Sequence, residues 1–484
     1  MEVSAEKATS ASGDGLAAIG ARLDRLGSSV TLWVLVLALS LGGLFDAYLM
    51  SSGPVIVPGM VESGLLAKGS RHADSLAEVF NLHTTAGFFA TTYAGLWVAA
   101  FFFGFIADKF GRRTVFTVGL LWFSIAGAIM AFQETASGLI LWRFLLSIGA
   151  GIEVITIDSY LSELMPKNAR GKAFAVNNAI HSAGKPIATL AAFALSLMMT
   201  SGVHQTLFGL EGWRWVVLIG SLGAIVVWPL RLLIPESPRW LAAHDKLPEA
   251  EKVVSMLEQR VERERGKPLP PPEPVAKQPP HKHGRFLEMF GPEYLPRTVM
   301  LSVFHLLQAI ALHGFVNWMP TLLVAHGVTI TESLGYTFAM TLVAPLGPLA
   351  CLWFADKVER KWQIVGSAIV VALCGFTFTL SRNPLIIVPA GAIELFAAAV
   401  LNFAFHAYQA ELFPTRIRVQ GVGFVYSWSR ISAALSGFLV AYILGRYGTP
   451  AVFVLFTGSM LTLALFITFL GPRTRGQSLE ALSP

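Results

Sequence analysis

With 484 residues, 54% of them hydrophobic, only 14% charged and a mean hydropathy of +0.60, the chain is too apolar for a soluble globular domain. Its net charge of +6 comes from basic clusters at the ends of apolar stretches, which speaks for membrane topology and against nucleic acid as a partner. Two cysteines, Cys351 and Cys374, both inside apolar stretches, argue against a disulfide framework and leave the redox compartment open.

The first 29 residues are polar and carry Glu2, Glu6, Lys7, Asp14, Arg22, Asp24 and Arg25. They lack the basic start, short apolar core and small-residue cleavage site of a signal peptide, so the first span is expected to be retained. Twelve apolar stretches follow, each long enough to cross a hydrocarbon core of about 30 Å as a helix. They run over about 33–57, 86–106, 115–132, 139–161, 173–200, 214–234, 299–323, 332–354, 362–381, 385–410, 421–444 and 450–470. Backbone groups cannot stay unpaired in lipid, and no alternating barrel pattern competes, so an all-α integral membrane fold is expected. The chain divides into a tail (1–29), a six-helix half (30–234), a linker (235–298), a second six-helix half (299–470) and a tail (471–484). In the linker, LPEAEKVVSMLEQRVERERGK predicts an amphipathic helix with Val253, Met256 and Leu257 on one side. PLPPPEPVAKQPPHKH predicts an extended, semi-rigid segment.

An N-terminus placed inside makes Lys109, Arg112, Arg113, Lys167, Arg170, Lys172, Lys357, Arg360, Lys361, Arg416, Arg418, Arg473 and Arg475 cytoplasmic. The outer loops then keep little beyond Lys68, Arg71, Arg382 and Arg446. This positive-inside bias predicts both ends cytoplasmic in a plasma (bacterial inner) membrane.

ADKFGRR (107–113) and ADKVERK (355–361) align residue for residue at an offset of 248, as do SELMP (162–166) and AELFP (410–414), and Arg170 and Arg418. A shared offset over separate motifs marks one unit duplicated in the same direction, which in a membrane protein predicts two half-bundles around a central pathway. With GFIADKFGRR, RFLLSIGAGIEVITIDSYLSELMPKNARG, PESPRWL (235–241) and GPRTRGQSLEAL in order, the chain resembles the major facilitator transporters, near their sugar-porter and organic-ion branch. In the last motif Arg473 stands where sugar porters usually carry glutamate. The resemblance implies the major facilitator fold, twelve transmembrane helices in two six-helix pseudo-repeats, and alternating access.

It also implies a cytoplasmic gate of latching charges: Asp108, Arg112, Arg113, Glu163, Arg170, Asp356, Arg360, Glu411 and Arg418, joined by Glu236 and Arg239 of PESPRWL. Carboxylates beside arginines at helix ends can form charge-assisted, bidentate pairs. The alternative reading is that they only set topology.

Ionisable side chains inside spans are costly and so point to function. Asp46 lies about 20 Å into span one and Arg143 about 6 Å into span four, which enters from outside, so both fall in the outer half and could meet. In proton-coupled sugar porters, which the chain resembles, such an aspartate takes up the proton opposite such an arginine. Asp46 and Arg143 are therefore the expected coupling pair, with Glu394 in span ten as a relay candidate and Asp158 as an acid near the inner mouth. Lys185 in span five and Arg430 in span eleven both fall near the midplane, one in each half, and favour an anionic substrate, unless Glu394 or Glu153 simply pairs with them.

A site for many hydroxyls needs amide pairs that donate and accept. Against the sugar-porter pattern, Gln308 stands on the second glutamine of span seven, but Leu307 on the first and His313 on the asparagine, followed by Asn317 and Trp318. Phe403 and His406 replace a proline and a tryptophan in span ten, and Asn178 takes a glutamine position in span five. His181, His313 and His406 offer titratable aromatic lining, and Tyr426 and Trp428 could stack on a flat ligand.

The expected protein is thus a proton-coupled symporter of a small organic acid, aromatic carboxylates included. A sugar or polyol symporter and a proton-antiport exporter are the alternatives. Its partners are a small-molecule substrate, protons and the lipid bilayer, with the chain acting as a monomer. No metal-ligand spacing, HExxH or Walker loop is present, so neither a cofactor nor an enzyme nor an ATP-driven pump is expected. No filter sequence or charged ring suggests a channel.

Overall fold

A computed structural model describes residues 15–67, 80–103, 106, 109–198, 206–229, 234–272, 285–354, 357–414 and 416–474. Asp108, Asp356, Arg475 and the proline-rich run after 272 lie outside the described residues. Span one is Val30–Glu62, and span two is Thr85–Val98 continued by a π-turn over Ala99–Phe103. Spans three to five are Arg112–Ala131, Ala136–Leu164 and Arg170–Met198, and span six is Gly212–Ser221 with Gly223–Val227. Span seven is Leu295–Ala325, span eight Ile330–Thr341 with Leu346–Phe354, span nine Arg360–Leu380 and span ten Pro384–Glu411. Spans eleven and twelve form Arg418–Leu470, broken at Gly448, where φ is 77° and only glycine turns at little cost. Pro450, with its φ already helical, starts the last span.

Among the described residues nine helices are long and apolar enough by themselves to cross a membrane, one of them the merged Gln420–Leu470. Span six is short, and span five, carrying Asn177, Asn178, His181 and Lys185, is more polar than the rest. A span this polar is stable in a bilayer only with its polar face turned to protein or to a cavity.

The duplication is visible in the contacts. Arg112 binds Glu163 at 2.8 Å in the first half, and Arg360 binds Glu411 in the second, each pair displaced by the same 248 residues. Thr135 and Asn383, again 248 apart, cap the starts of spans four and ten by accepting hydrogen bonds from Gly138 N and Leu385 N.

The linker lies on one side of the bundle, called the linker side below. The amphipathic helix spans Leu247–Arg265, with Ala250, Val254, Leu257 and Val261 buried, while Val253 and Met256 are half-buried on the flank of that stripe and not at its centre. Its Glu264 accepts hydrogen bonds from Val30 N (2.7 Å) and Thr31 N (3.0 Å), satisfying orphan donors at the start of span one. Its Glu258 takes ion pairs at 2.7 Å from Arg22 of the preceding N-terminal helix, residues 15–24, and from Arg25 in the turn that follows it. Burial pushes the Glu258 carboxyl up, but the hydrogen bonds from Arg22 and Arg25 outweigh it and hold the group below its usual range. A depressed carboxylate contributes stability above its unfolded pKa and loses it as pH falls through the folded value. We therefore expect the N-terminal helix to loosen below about pH 4.5, and Glu258→Gln to loosen it at neutral pH. Amide exchange over residues 15–26 reads both; protection unchanged in the variant would show that apolar packing alone holds the N-terminal helix.

Contacts between the halves gather away from the linker. Phe80 packs on Phe438 (5.1 Å), Phe89 on Trp318 (5.9 Å), Asn317 Nδ2 donates to Tyr93 Oη (2.8 Å), and Thr189 meets Thr341 (2.9 Å). On the linker side, Asp158, Asn178 and His406 are exposed near the linker-side ends of spans four, five and ten. Polar side chains of the interior are thus exposed on the linker side, and the contacts between the halves named above lie away from it.

Candidate functional site

Two groups of polar side chains occupy the interior. The first surrounds Asp46, which is 2% exposed in the middle of span one. Its Oδ2 lies 3.3 Å from His181 Nε2 of span five, and its Oδ1 has no hydrogen-bond partner among the described residues. The expected direct pair with Arg143 is not made. Arg143, 1% exposed, donates instead to Thr92 Oγ1 (2.8 Å), Leu49 O (3.0 Å) and Met50 O (3.1 Å), with its guanidinium 5.0 Å from the Phe88 ring centre. The reason lies in Gly53–Pro54. Proline has no N–H for the Met50 carbonyl four residues earlier, and a Cβ at Gly53 would stand 2.9 Å from Arg143 Nη2. Span one thus offers an orphan acceptor and the room to reach it, and the guanidinium fills both. Arg143 remains within electrostatic range of Asp46.

Glu153 is buried on span four beside this group, with both carboxylate oxygens lacking a hydrogen-bond partner among the described residues. It fits there because Gly42 has no side chain; a Cβ at that position would collide with its Oε1 and with the Phe116 ring. Its charged neighbour is Asp46.

The second group lies between the halves. The fields of Lys185 from span five and Arg430 from span eleven both reach the His313 ring on span seven. His313 packs edge-on against Tyr93 (5.0 Å), and Tyr93 is the acceptor for Asn317. Arg430 donates to Tyr426 Oη (3.0 Å) one turn earlier and lies over its ring. The Lys185 ammonium makes no hydrogen bond among the described residues; the acid facing it is Glu394 of span ten, buried, with neither oxygen hydrogen-bonded among them. His406 stacks on Phe405 (4.3 Å) and approaches Tyr426 (5.6 Å), while Gln308 donates to Asn402 Oδ1 (3.0 Å) and His305 Nε2 to Gln409 Oε1 (2.9 Å).

Of the expected substrate set, Lys185, Arg430, His313, Asn317, His406 and Tyr426 are therefore brought together, while Gln308 is buried and held by Asn402. His181 belongs to the Asp46 group. Asn178 is exposed nearer the linker side, one turn from His181. Trp428 is turned away: two positions on a helix rotate a side chain by about 200° from Arg430, and it packs on Phe424 (6.3 Å). Sequence reasoning missed Thr92, Tyr93, His305, Asn402 and Gln409. The run Thr91–Thr92–Tyr93 inside an apolar span was the available signal for the first two.

Of the gate charges, Glu236 accepts from Arg112 N (2.8 Å) and Arg113 N (3.1 Å), capping span three. Arg239 pairs with Asp24 at 3.7 Å. Arg170 and Arg418 donate to Met165 O (3.3 Å) and Phe413 O (3.2 Å), equivalent positions of the two halves. These contacts stay within one half or run from the first half to the linker and the N-terminal segment.

A family model described as "Sugar (and other) transporter" matches residues 48–484. The chain belongs to that family. It is a major facilitator protein, an integral membrane transporter and not an enzyme. Among curated proteins, it is 29% identical to the inner membrane metabolite transport protein YdjE of Escherichia coli (strain K12), over 96% of this chain and 98% of the relative. It is 26% identical to the niacin transporter NiaP of Acinetobacter baylyi, over 81% and 85%. Among solved structures, the partially occluded inward open xylose transporter XylE of E. coli superposes with a TM-score of 0.72 at 17% identity, covering 93% of this chain and 100% of that one. That likeness carries the twelve-helix fold.

Proposed function

We propose that this family member imports a small organic acid, a monocarboxylate with a flat or aromatic body, by proton-coupled symport across a bacterial inner membrane, with the linker side and both termini cytoplasmic. The observation that carries the reading is the charge at the centre. Lys185 and Arg430, one from each half, both reach the His313 ring, and Glu394 faces Lys185 alone, so the cations outnumber the acid beside them and leave positive charge for the substrate. Tyr93, Tyr426, His313 and His406 supply the aromatic walls around it. The niacin transporter among the relatives, named for an aromatic carboxylic acid, supports the same class. Both cations come from one chain, so a monomer holds a complete site.

In this reading Asp46 is the coupling acid, Arg143 sets its field, Glu394 is a second acid beside the substrate, and the charge pairs of the linker side latch when the pathway opens outward. A sugar or polyol symporter is the second reading, favoured by the Gln308–Asn402 amide pair. Voltage separates the two. One proton with one carboxylate moves no net charge, whereas one proton with a neutral sugar moves one.

In proteoliposomes, nicotinate or benzoate uptake is expected to follow an imposed pH gradient, about tenfold accumulation per pH unit, and to ignore a diffusion potential. A sugar carried with one proton would gain roughly 50-fold from 100 mV. Xylose uptake with that voltage response, and none of either acid above protein-free vesicles, would overturn the organic-acid reading.

A further inference from the structure

We propose that His181 is a proton relay that carries the coupling proton from Asp46 to the linker-side water by way of Asp158. The inference rests on the reading of Asp46 as the coupling acid and adds the route by which its proton leaves. A buried acid can drive transport only if its proton has an exit that differs between the two faces of the bilayer. Arg143 provides none: a guanidinium keeps its protons, and this one is committed to Thr92 and to the carbonyls of Leu49 and Met50. His181 is the one side chain hydrogen-bonded to Asp46 among the described residues.

The ring stands between a buried and a wet place. Its Cδ2 lies 3.4 Å, and Ile157 Cδ1 3.5 Å, from the position a Cβ would take at Gly43, so spans one, four and five converge there. The residue after Ile157 is Asp158, exposed on the linker side and within electrostatic reach of His181. Exposure thus rises in order from Asp46, buried, through His181, half-buried, to Asp158 and Asn178.

The charged groups around the ring are Asp46 from span one, Asp158 and the deeper Glu153 from span four, and Lys185 one turn on along span five. Spans six and eight, also packed on span five, carry Arg214 and Glu332 at their far-side ends, and Cys351. The step balances without another reactant. The Asp46 carboxyl gives its proton to His181 Nε2, leaving a carboxylate and an imidazolium. Nδ1 then releases its proton to the Asp158 carboxylate or to water, leaving a neutral ring that resets by turning or by tautomer exchange.

The test uses full-length protein in proteoliposomes with labelled nicotinate and a lumenal pH dye. His181→Gln keeps a hydrogen-bonding side chain of similar length but cannot pass a proton through. Its gradient-driven uptake and lumen acidification are expected to fall at least tenfold more than its nicotinate counterflow, and imidazole in the buffers should restore most of the loss. Asp158→Asn should give a smaller loss of the same kind. Driven uptake that matches wild type, counterflow falling in step with it, or a loss that imidazole leaves untouched would each overturn the relay. Asp46→Asn separates the two levels. If that variant still concentrates nicotinate, or if wild type moves none, the coupling reading falls and the relay with it. If it is uncoupled while His181→Gln is not, the relay alone falls.

Discussion

Replacing Asp46 with asparagine is expected to collapse gradient-driven accumulation to simple equilibration while substrate exchange persists. Asparagine has the shape of a protonated aspartate and never carries a charge, so the carrier reorients both loaded and empty without binding or releasing a proton. The loaded carrier still binds and releases substrate, because Lys185 and Arg430 belong to a different cluster, and counterflow reads that step alone. At one pH unit of gradient the expected change in the steady-state ratio is from about tenfold to one, the whole of the 1.4 kcal/mol or so that one proton supplies. Asp46→Glu should retain coupling at a lower rate, since the longer acid must still reach His181 Nε2 in a site where Oδ2 is now 3.3 Å away. Steady-state accumulation by Asp46→Asn at the wild-type ratio would move the coupling role elsewhere, with Glu153 and Glu394 the buried acids left to carry it.

Depth was legible in the sequence and azimuth was not. Counting residues from span ends located Lys185 and Arg430 near the same level, and the structure brings their charges together on His313. The offset of 248 foretold a duplicated bundle, and Arg112–Glu163 with Arg360–Glu411 display it as equivalent ion pairs. Counting also set Asp46 and Arg143 at depths where they could meet, yet which way each points depends on rotation about two helices. Span one contains Pro54 and Pro58, span five Pro186, and each interrupts the hydrogen-bond ladder that keeps a helical wheel in phase. The guanidinium went to the carbonyl that Pro54 had orphaned, and the aspartate was left to His181. Trp428 failed for the converse reason. Span eleven is regular there, and a simple wheel would have set it some 200° from Arg430.

The second large effect is expected at the cations. A hydrogen bond to a charged group contributes about 1.5–3 kcal/mol, and each 1.4 kcal/mol is a factor of ten, so Arg430→Gln and Lys185→Gln should each weaken carboxylate binding by roughly 10- to 150-fold. The two should differ in kind. Lys185 is the cation facing Glu394, so removing it leaves that acid uncompensated beside an incoming anion and adds repulsion to the lost attraction. Arg430 is held by Tyr426 Oη at 3.0 Å and presents a planar fork; Arg430→Lys, a point charge on a flexible stem, should therefore recover little. Glu394→Gln should act in the opposite direction, raising carboxylate affinity several-fold, because it removes the one anion that competes for Lys185. Counterflow KM for nicotinate, measured on the four variants in one lipid composition, reads all of these. Tighter binding in Glu394→Gln with weaker binding in Lys185→Gln marks a site balanced for one negative charge. Equal, small losses in all four would mark a site that recognises its substrate by shape and hydroxyls, and the organic-acid reading would give way to the sugar one.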